Sequence, residues 1–330
     1  MDLSCNHDMN DGRKLMIDEP GSLQAAVDAL AVGRLVGVPT ETVYGLAADA
    51  TNPTAVAAIY QAKGRPSFNP LIAHVADLKM AKRYGQFADN ALELAHAFWP
   101  GPLTLVVPLV EGCGVADAVT AGLPTIALRH PKGAMAELAR RLNRPIAAPS
   151  ANRSGKTSPT TADHVVDDLG DRIALVLDGG ACDVGIESTI VKCQPEGCMV
   201  LREGGLSDDA IETVVGPVTG LAQASQIESP GQLLRHYAPT TPLRMSATNV
   251  RADEALLAFG NSDANSESAM TTLNLSASGD LSEAAHNLFA MMRDLDRVGA
   301  AGIAVAPIPE TGLGVAINDR LKRAAEGSNS

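Results

Sequence analysis

From residue 35 to residue 177, short aliphatic runs alternate with stretches of helical spacing, punctuated by glycine and proline. That rhythm limits the fold more than any other feature of the chain. The runs at 35–38, 71–75, 103–107, 125–128, 146–148 and 173–177 have the length of strands. Residues 23–32, 53–64, 90–98 and 133–142 carry helical spacing. Ser22 is expected to cap the first of these helices and Gly33 to close it. Asn52 and Pro53 open the second, and Gly64 ends it. Strands alternating with helices predict an α/β or mixed α/β domain that finishes near Gly216.

A chain of 330 residues exceeds one average domain, so about two are expected. A second unit is predicted over 243–330, with strands near 255–259 and 303–306 and helices over 281–298 and 314–325. The stretch 216–242 reads as a linker, because it holds Pro217, Pro230, Gly231, Pro239 and Pro242. It also carries Arg235, His236 and Tyr237, which are unusual side chains for an idle connection. Residues 1–14 read as a polar, disordered N-terminus without an apolar leader.

Net charge of −12 argues against a broad nucleic-acid footprint, although it leaves room for a small basic pocket. The five cysteines, Cys5, Cys113, Cys182, Cys193 and Cys198, are scattered without a C-x-x-C pair, which argues against zinc and for free thiols. The longest apolar run, 103–110, is broken by Pro108 and too short to span a bilayer. These features lead us to expect a soluble, cytoplasmic protein with no membrane partner.

The loop at 148–158 packs hydroxyls, an amide, Gly155 and two cations behind a strand, a composition suited to an anion. Its Gly155-Lys156-Thr157 matches the end of a P-loop, and the run at 173–177, closing on Asp178, imitates a Walker-B strand. The pattern G-x-x-x-x-G-K-[ST] needs glycine at position 150, which is Ser150 here. A plain polar turn is the other reading.

Five further constellations stand out. Residues 39–46 hold Thr40, Glu41, Thr42 and Tyr44 after a strand, where ligands bind in α/β sheets; a capped turn explains them equally well. Residues 63–74 place Lys63, Arg65, Asn69 and His74 around two prolines. Cations past a helix C-terminus also answer its dipole, and His74 among apolar neighbours also suits a core histidine. In 125–131, Thr125, Ala127 and Arg129 share one strand face, and Arg129 at its end suits either a carboxylate or solvent. Residues 185–190 and 201–205 are hydroxyl-rich or flexible turns around Ser188 and Arg202. The sequence has no G-x-S-x-G elbow, and no carboxylate pair stands out as acid and base. The chemistry therefore reads as positioning and charge stabilisation of phosphates and a carboxylate.

Together, the blocks PTETVYGL, KGRPSFNPLIAH, PTIALRHP, APSANRSGKTSPT, GIESTIV and LREG resemble the YrdC-like threonylcarbamoyl-AMP synthase family over roughly residues 15–206. SPGQLLRHYAP and the extra C-terminal unit resemble its longer, two-domain branch. The resemblance implies a twisted, mostly open mixed sheet with helices over 15–215, and a smaller Rossmann-like α/β domain over 243–330. It implies a nucleotidyltransferase that joins L-threonine, bicarbonate and ATP into threonylcarbamoyl-adenylate and pyrophosphate. Downstream transfer proteins then modify an adenosine beside the tRNA anticodon. Carried over by motif, threonine would meet Thr42, His74, Arg129, the Ala148 backbone and Ser188. ATP would meet Arg65, Asn69, Thr125, Ser150, Ser158, Arg202 and Tyr237, with Lys63 and Arg65 offsetting the leaving charge. Mg²⁺ would ride mainly on ATP phosphates, with no protein metal site. The linker would fold over the nucleotide as a lid. A P-loop NTPase and a non-catalytic RNA-binding module remain the rivals, and no stable nucleic-acid binding is expected. No role for the second unit is legible beyond packing.

Overall fold

The computed structural model describes residues 13–220, 236–261 and 268–328. In chain order the first elements are β1 (Arg13–Met16), α1 (Ser22–Ala31), β2 (Val36–Val38), β3 (Gly45–Asp49), α2 (Pro53–Lys63) and β4 (Ile72–His74). Next come α3 (Leu78–Ala81), α4 (Asp89–Phe98), β5 (Leu103–Pro108), α5 (Asp117–Thr120), β6 (Thr125–Arg129), α6 (Ala134–Leu142) and β7 (Ile146–Ala147). The domain closes with α7 (Ala162–Leu169), β8 (Leu175–Asp178), β9 (Thr189–Gln194), β10 (Gly197–Arg202) and α8 (Asp208–Val215).

The local chemistry explains several boundaries. The Asn52 side chain accepts the Thr54 and Ala55 amides, Pro53 starts α2, and Gly64 ends it at φ 62°. The expected Ser22 cap is corrected. Ser22 is the first residue of α1, and Gly21 at φ 92° precedes it with no side-chain cap. Arg13 and Lys14, expected to be disordered, begin β1, which pairs with β8; residues 1–12 lie outside the described residues. The strand β3 is Gly-Leu-Ala-Ala-Asp, a poor strand former on its own. It is a strand because β2 and β7 pair with it on either side.

Among the described residues, the first ten strands form one mixed sheet in the order β1-β8-β2-β3-β7-β4-β6-β5-β9-β10. One aliphatic core, including Leu30, Val36, Ile59, Leu94, Leu138 and Val165, packs the helices against it. Ile72, Val106, Ala127, Ile190 and Leu201 form a separate small apolar floor. Period 2 along β4 and β6 puts His74 and Arg129 on the same face as Ile72 and Ala127.

The second unit contains β11 (Leu243–Arg244), β12 (Glu254–Ala258), β13 (Thr272–Asn274), α9 (Leu281–Asp296), β14 (Gly302–Val305) and α10 (Leu313–Ser328). Its four strands are all parallel, in the order β11-β14-β12-β13. Asp280 caps α9 through the Ser282 and Glu283 amides. The core of this unit runs on into the first: Val43, Ile186 and Tyr237 cluster with Leu288, Phe289 and Leu321. At Gly185, φ 79°, a β-carbon would stand 2.4 Å from the His286 backbone, so only glycine lets α9 approach this closely. Among the described residues, no helix is long and apolar enough to cross a membrane.

Candidate active site

Parallel pairing of β4 with β6 sets His74 beside Arg129, and both line a cleft above the small apolar floor. Arg129 is almost sealed from solvent, at 4% exposed. Its Nη1 donates to Thr42 Oγ1 at 2.9 Å and its Nε to the Gly101 carbonyl at 3.2 Å. Its Nη2 lies 2.9 Å from Glu41 Oε1, an ion pair whose angle falls short of a hydrogen bond. Glu41 also accepts the Lys132 amide at 3.1 Å. A buried guanidinium needs such a partner, because desolvation otherwise penalises its charge. The His74 pKa is pushed down to about 3, by burial first and by the Arg129 cation second. Its ring is therefore neutral near pH 7, offering one donor and one acceptor. Among the described residues its Nδ1 has no partner.

Arg65 and Arg202 supply further cationic charge to the same cleft. The turn fixed by Pro66 and Pro70 aims Arg65, whose Nε and Nη2 donate to the Asn69 and Pro70 carbonyls at 3.2 and 2.9 Å. Burial lowers its pKa to about 10. Arg202, at the end of β10, donates from Nη2 to the Ser188 carbonyl at 2.8 Å and to its hydroxyl at 3.2 Å. Burial also lowers the Arg202 pKa. Two desolvated guanidiniums in one cleft favour an anion with several oxygens.

The loop after β7 lies beside them. The Ser150 hydroxyl donates to Asn152 Oδ1 at 2.5 Å, and Asn152 Nδ2 donates to the Arg153 and Lys156 carbonyls at 2.8 and 2.7 Å. Asn152, without an assigned role in the sequence, is thus the internal brace of this loop. The P-loop resemblance fails here. A P-loop lysine and threonine open a helix, whereas this chain runs on without one until α7 begins at Ala162. Lys156 is exposed and reaches Thr240 Oγ1 at 3.2 Å, and Asp178 lies by Lys14 at 4.0 Å.

Of the residues expected at the site, Thr42, Arg65, His74, Arg129, Ala148, Ser150, Ser188, Arg202 and Tyr237 line the cleft. Lys63, Asn69, Thr125 and Ser158 do not. The Lys63 ammonium faces the loop backbone, donating to the Ser150 and Asn152 carbonyls at 2.6 and 2.5 Å. Burial, and then the Arg65 charge beside it, lowers its pKa well below the usual lysine range. The Asn69 carbonyl holds Arg65, and its buried side-chain Oδ1 has no hydrogen-bond partner among the described residues. Ser158 lies behind the wall, its hydroxyl 2.5 Å from Glu187 Oε1. Thr125 shares the face of Arg129 but lies four residues back, roughly 13 Å along the strand.

Tyr237 and His236 close one side of the cleft; Arg235 lies outside the described residues. Tyr237 is buried at φ 64°, a left-handed backbone for a bulky residue. Its ring stacks on Phe289 of α9 at 5.5 Å, and the Arg320 guanidinium of α10 lies 5.1 Å over it. Arg320 Nε also donates to Glu187 Oε2 at 2.9 Å. Sequence reasoning assigned no role to Glu41, Glu187 or Arg320. Glu41 and Glu187 are single carboxylates set among hydroxyls, and Arg320 is a charge within the apolar stripe Ile317, Leu321 and Ala324. Each was a visible departure from pattern.

A family model described as "Telomere recombination" (Sua5_yciO_yrdC) matches residues 28–204. One described as "Threonylcarbamoyl-AMP synthase, C-terminal domain" matches residues 206–326. The threonylcarbamoyl-AMP synthase of Bacillus subtilis is 39% identical across 95% of this chain and 95% of its own length. That of Pyrococcus abyssi is 38% identical across 93% of this chain and 95% of its own. The chain belongs to the threonylcarbamoyl-AMP synthase family. The crystal structure of P. abyssi Sua5 complexed with L-threonine superposes with a TM-score of 0.85 at 35% identity, covering 96% of this chain and 97% of that one. Both the mixed first sheet and the smaller second unit therefore follow the two-domain branch of the threonylcarbamoyl-AMP synthases.

Proposed function

We propose that this chain condenses L-threonine, bicarbonate and ATP into threonylcarbamoyl-adenylate and pyrophosphate. The observation that carries the reading is one cleft lined by two sets of cations from different elements: Arg129 beside a neutral His74, and Arg65 with Arg202. The first suits a single amino-acid carboxylate. The second suits a polyphosphate. Thr42, the Ala148 backbone and Ser188 would complete the threonine pocket. Ser150 and Tyr237 would meet the nucleotide directly, while Ser158, Asn69 and Lys63 hold the walls from behind.

The threonine amine, once deprotonated, adds to the carbon of CO2 and loses a proton, or displaces water from bicarbonate, and either way gives a carbamate. A carbamate oxygen then attacks the α-phosphorus, the α–β bridging bond breaks, and its electron pair leaves on pyrophosphate. Arg65 and Arg202 offset the charge that grows on that leaving group. The residues hold both reactants in line, so the step draws on positioning rather than on a protein nucleophile. His236 and Tyr237 cover the adenylate and keep water from it.

Magnesium fits as a companion of ATP. Glu41 and Glu187 have all four carboxylate oxygens engaged, by Arg129, the Lys132 amide, Ser158 and Arg320. The ion would then take phosphate oxygens and water as ligands, neutralising phosphate charge. The described cysteines are free thiols, which suits a reducing, cytoplasmic setting. The adenylate would pass to transfer proteins that modify the adenosine next to the tRNA anticodon.

Pyrophosphate release from ATP, measured with and without L-threonine and bicarbonate, tests the reading. Release that requires both is the expected result. Release indifferent to threonine would refute it.

A further inference from the structure

The second unit reaches the cleft through Phe289 of α9, stacked on Tyr237, and through Arg320 of α10. Arg320 is wholly buried, the largest such side chain among the described residues. Its Nε donates to Glu187 Oε2 at 2.9 Å, its Nη2 to the Glu203 carbonyl at 2.7 Å and its Nη1 to Asp319 Oδ2 at 2.9 Å. Its guanidinium plane also sits 5.1 Å from the Tyr237 ring centroid. Its contacts to Glu187, Glu203 and Tyr237 each lead to a residue at or next to the cleft.

Glu187 passes this constraint on. Its other oxygen accepts the Ser158 hydroxyl, and its neighbour Ser188 accepts both Arg202 donors and meets the Thr104 hydroxyl at 2.7 Å. Glu203 follows Arg202 directly. Arg320 therefore grips the chain one residue before Ser188 and one residue after Arg202, and from the other side supports the aromatic ring that closes the cleft. A fork of donors of fixed geometry is needed for that; a point charge would not bind all three. A helix that only packed the two units together would present an aliphatic side chain here, as its neighbours Ile317 and Leu321 do. Arg293 with Asp168 and Arg297 with Asp167 are further ion pairs between the units; the latter is exposed, and neither of its residues lines the cleft.

We propose that Arg320 is a positioning residue of the nucleotide half of the active site, so that the second unit completes the ATP pocket rather than merely packing beside it. Glu187 and Tyr237 are the groups it acts through. This rests on the reading of the Arg65–Arg202 side as the ATP site.

The full-length chain would carry Arg320→Met, Arg320→Lys or, as a control, Arg297→Met. Direct ATP binding by calorimetry, and KM for ATP and for threonine in pyrophosphate release, would be measured for each. Arg320→Met is expected to weaken ATP binding about 10- to 100-fold while the KM for threonine moves far less, since small misplacements around a reacting centre cost on that scale. Arg320→Lys, which keeps the charge without the fork, should fall between. If Arg320→Met does not fold, the lysine variant decides by the same split. Combining Arg320→Met with Glu187→Gln should add little beyond the worse single change. Equal effects on both substrates, or ATP affinity unchanged in folded Arg320→Lys and Arg320→Met, would overturn the proposal. ATP binding is read without turnover, so loss of threonine dependence in the unaltered enzyme would fault the reaction and not the role of Arg320.

Discussion

The Glu41 carboxylate stands 2.9 Å from the Arg129 guanidinium, and both side chains are 4% exposed. They are far apart in the chain, on the loop after β2 and at the end of β6. The pairing keeps a cation charged in a place that would otherwise resist it. It also fixes the direction of the Arg129 fork, with the Thr42 hydroxyl on Nη1.

Arg129→Ala should raise the KM for threonine sharply while leaving the KM for ATP comparatively untouched. Truncating one member of a buried, hydrogen-bonded charge pair costs about 2–5 kcal/mol. Steady-state kinetics with each substrate varied in turn checks the split.

Glu41→Gln should destabilise the fold, because Arg129 is then left buried without its counter-charge. The expected loss is about 3–5 kcal/mol, read as a lower midpoint in chemical denaturation with an unchanged slope. A neutral effect would mean that Arg129 keeps enough water to be charged alone.

The two lysines near the loop should behave oppositely. Lys63→Met removes the donor to two carbonyls, and leaving such buried acceptors unpaired costs about 1–3 kcal/mol each. Stability and ATP affinity should fall together. Lys156→Ala, at an exposed side chain, should change either within roughly 0.5 kcal/mol. An NTPase P-loop would reverse that order.

Tyr237→Ala should weaken ATP binding and increase release of hydrolysed adenylate, since it removes the ring held between Phe289 and Arg320. Tyr237→Phe keeps the ring and should keep most of the affinity. Unchanged kinetics in the alanine variant would count against a lid.

Acid should unfold the protein early. Burial lowers the pKa of His74 and of His236 to about 3 and that of His164 to about 4, against about 6.5 when unfolded. Between those values the unfolded chain binds more protons, so stability rises with pH there. It is complete above about pH 6.5 and drains away as pH falls toward 3. Glu187 adds in the same direction at lower pH. Burial works to raise its pKa, but the Arg320 and Arg202 charges and the Ser158 hydroxyl hold it below the usual carboxylate range. Denaturation midpoints across pH 4–8 would show this slope, and His164→Gln should flatten it.

Much of this was legible in the chain. The α2 caps, the aliphatic strands and the hydroxyl-rich loops follow from local chemistry, as does the placing of Arg129 at a strand end. Local rules failed where neighbours decided. Ser22 looked like a cap and became the first helical residue. No strand is expected over residues 45–49, yet β3 is held as one from both sides. Lys63, which the family resemblance would set near phosphate, is turned onto the loop backbone.

By itself the sequence determined which residues are apolar by period, which turns are forced, and which segments carry cations and hydroxyls, because each depends on neighbours a few residues away. Only the tertiary structure decided which charges share a dry interior. Sheet order brings β4 against β6 and Glu41 against Arg129, and the packing of α10 brings Arg320 to Glu187. Desolvation and pairing energies arise from distances in space, and periodicity along the chain carries no record of them.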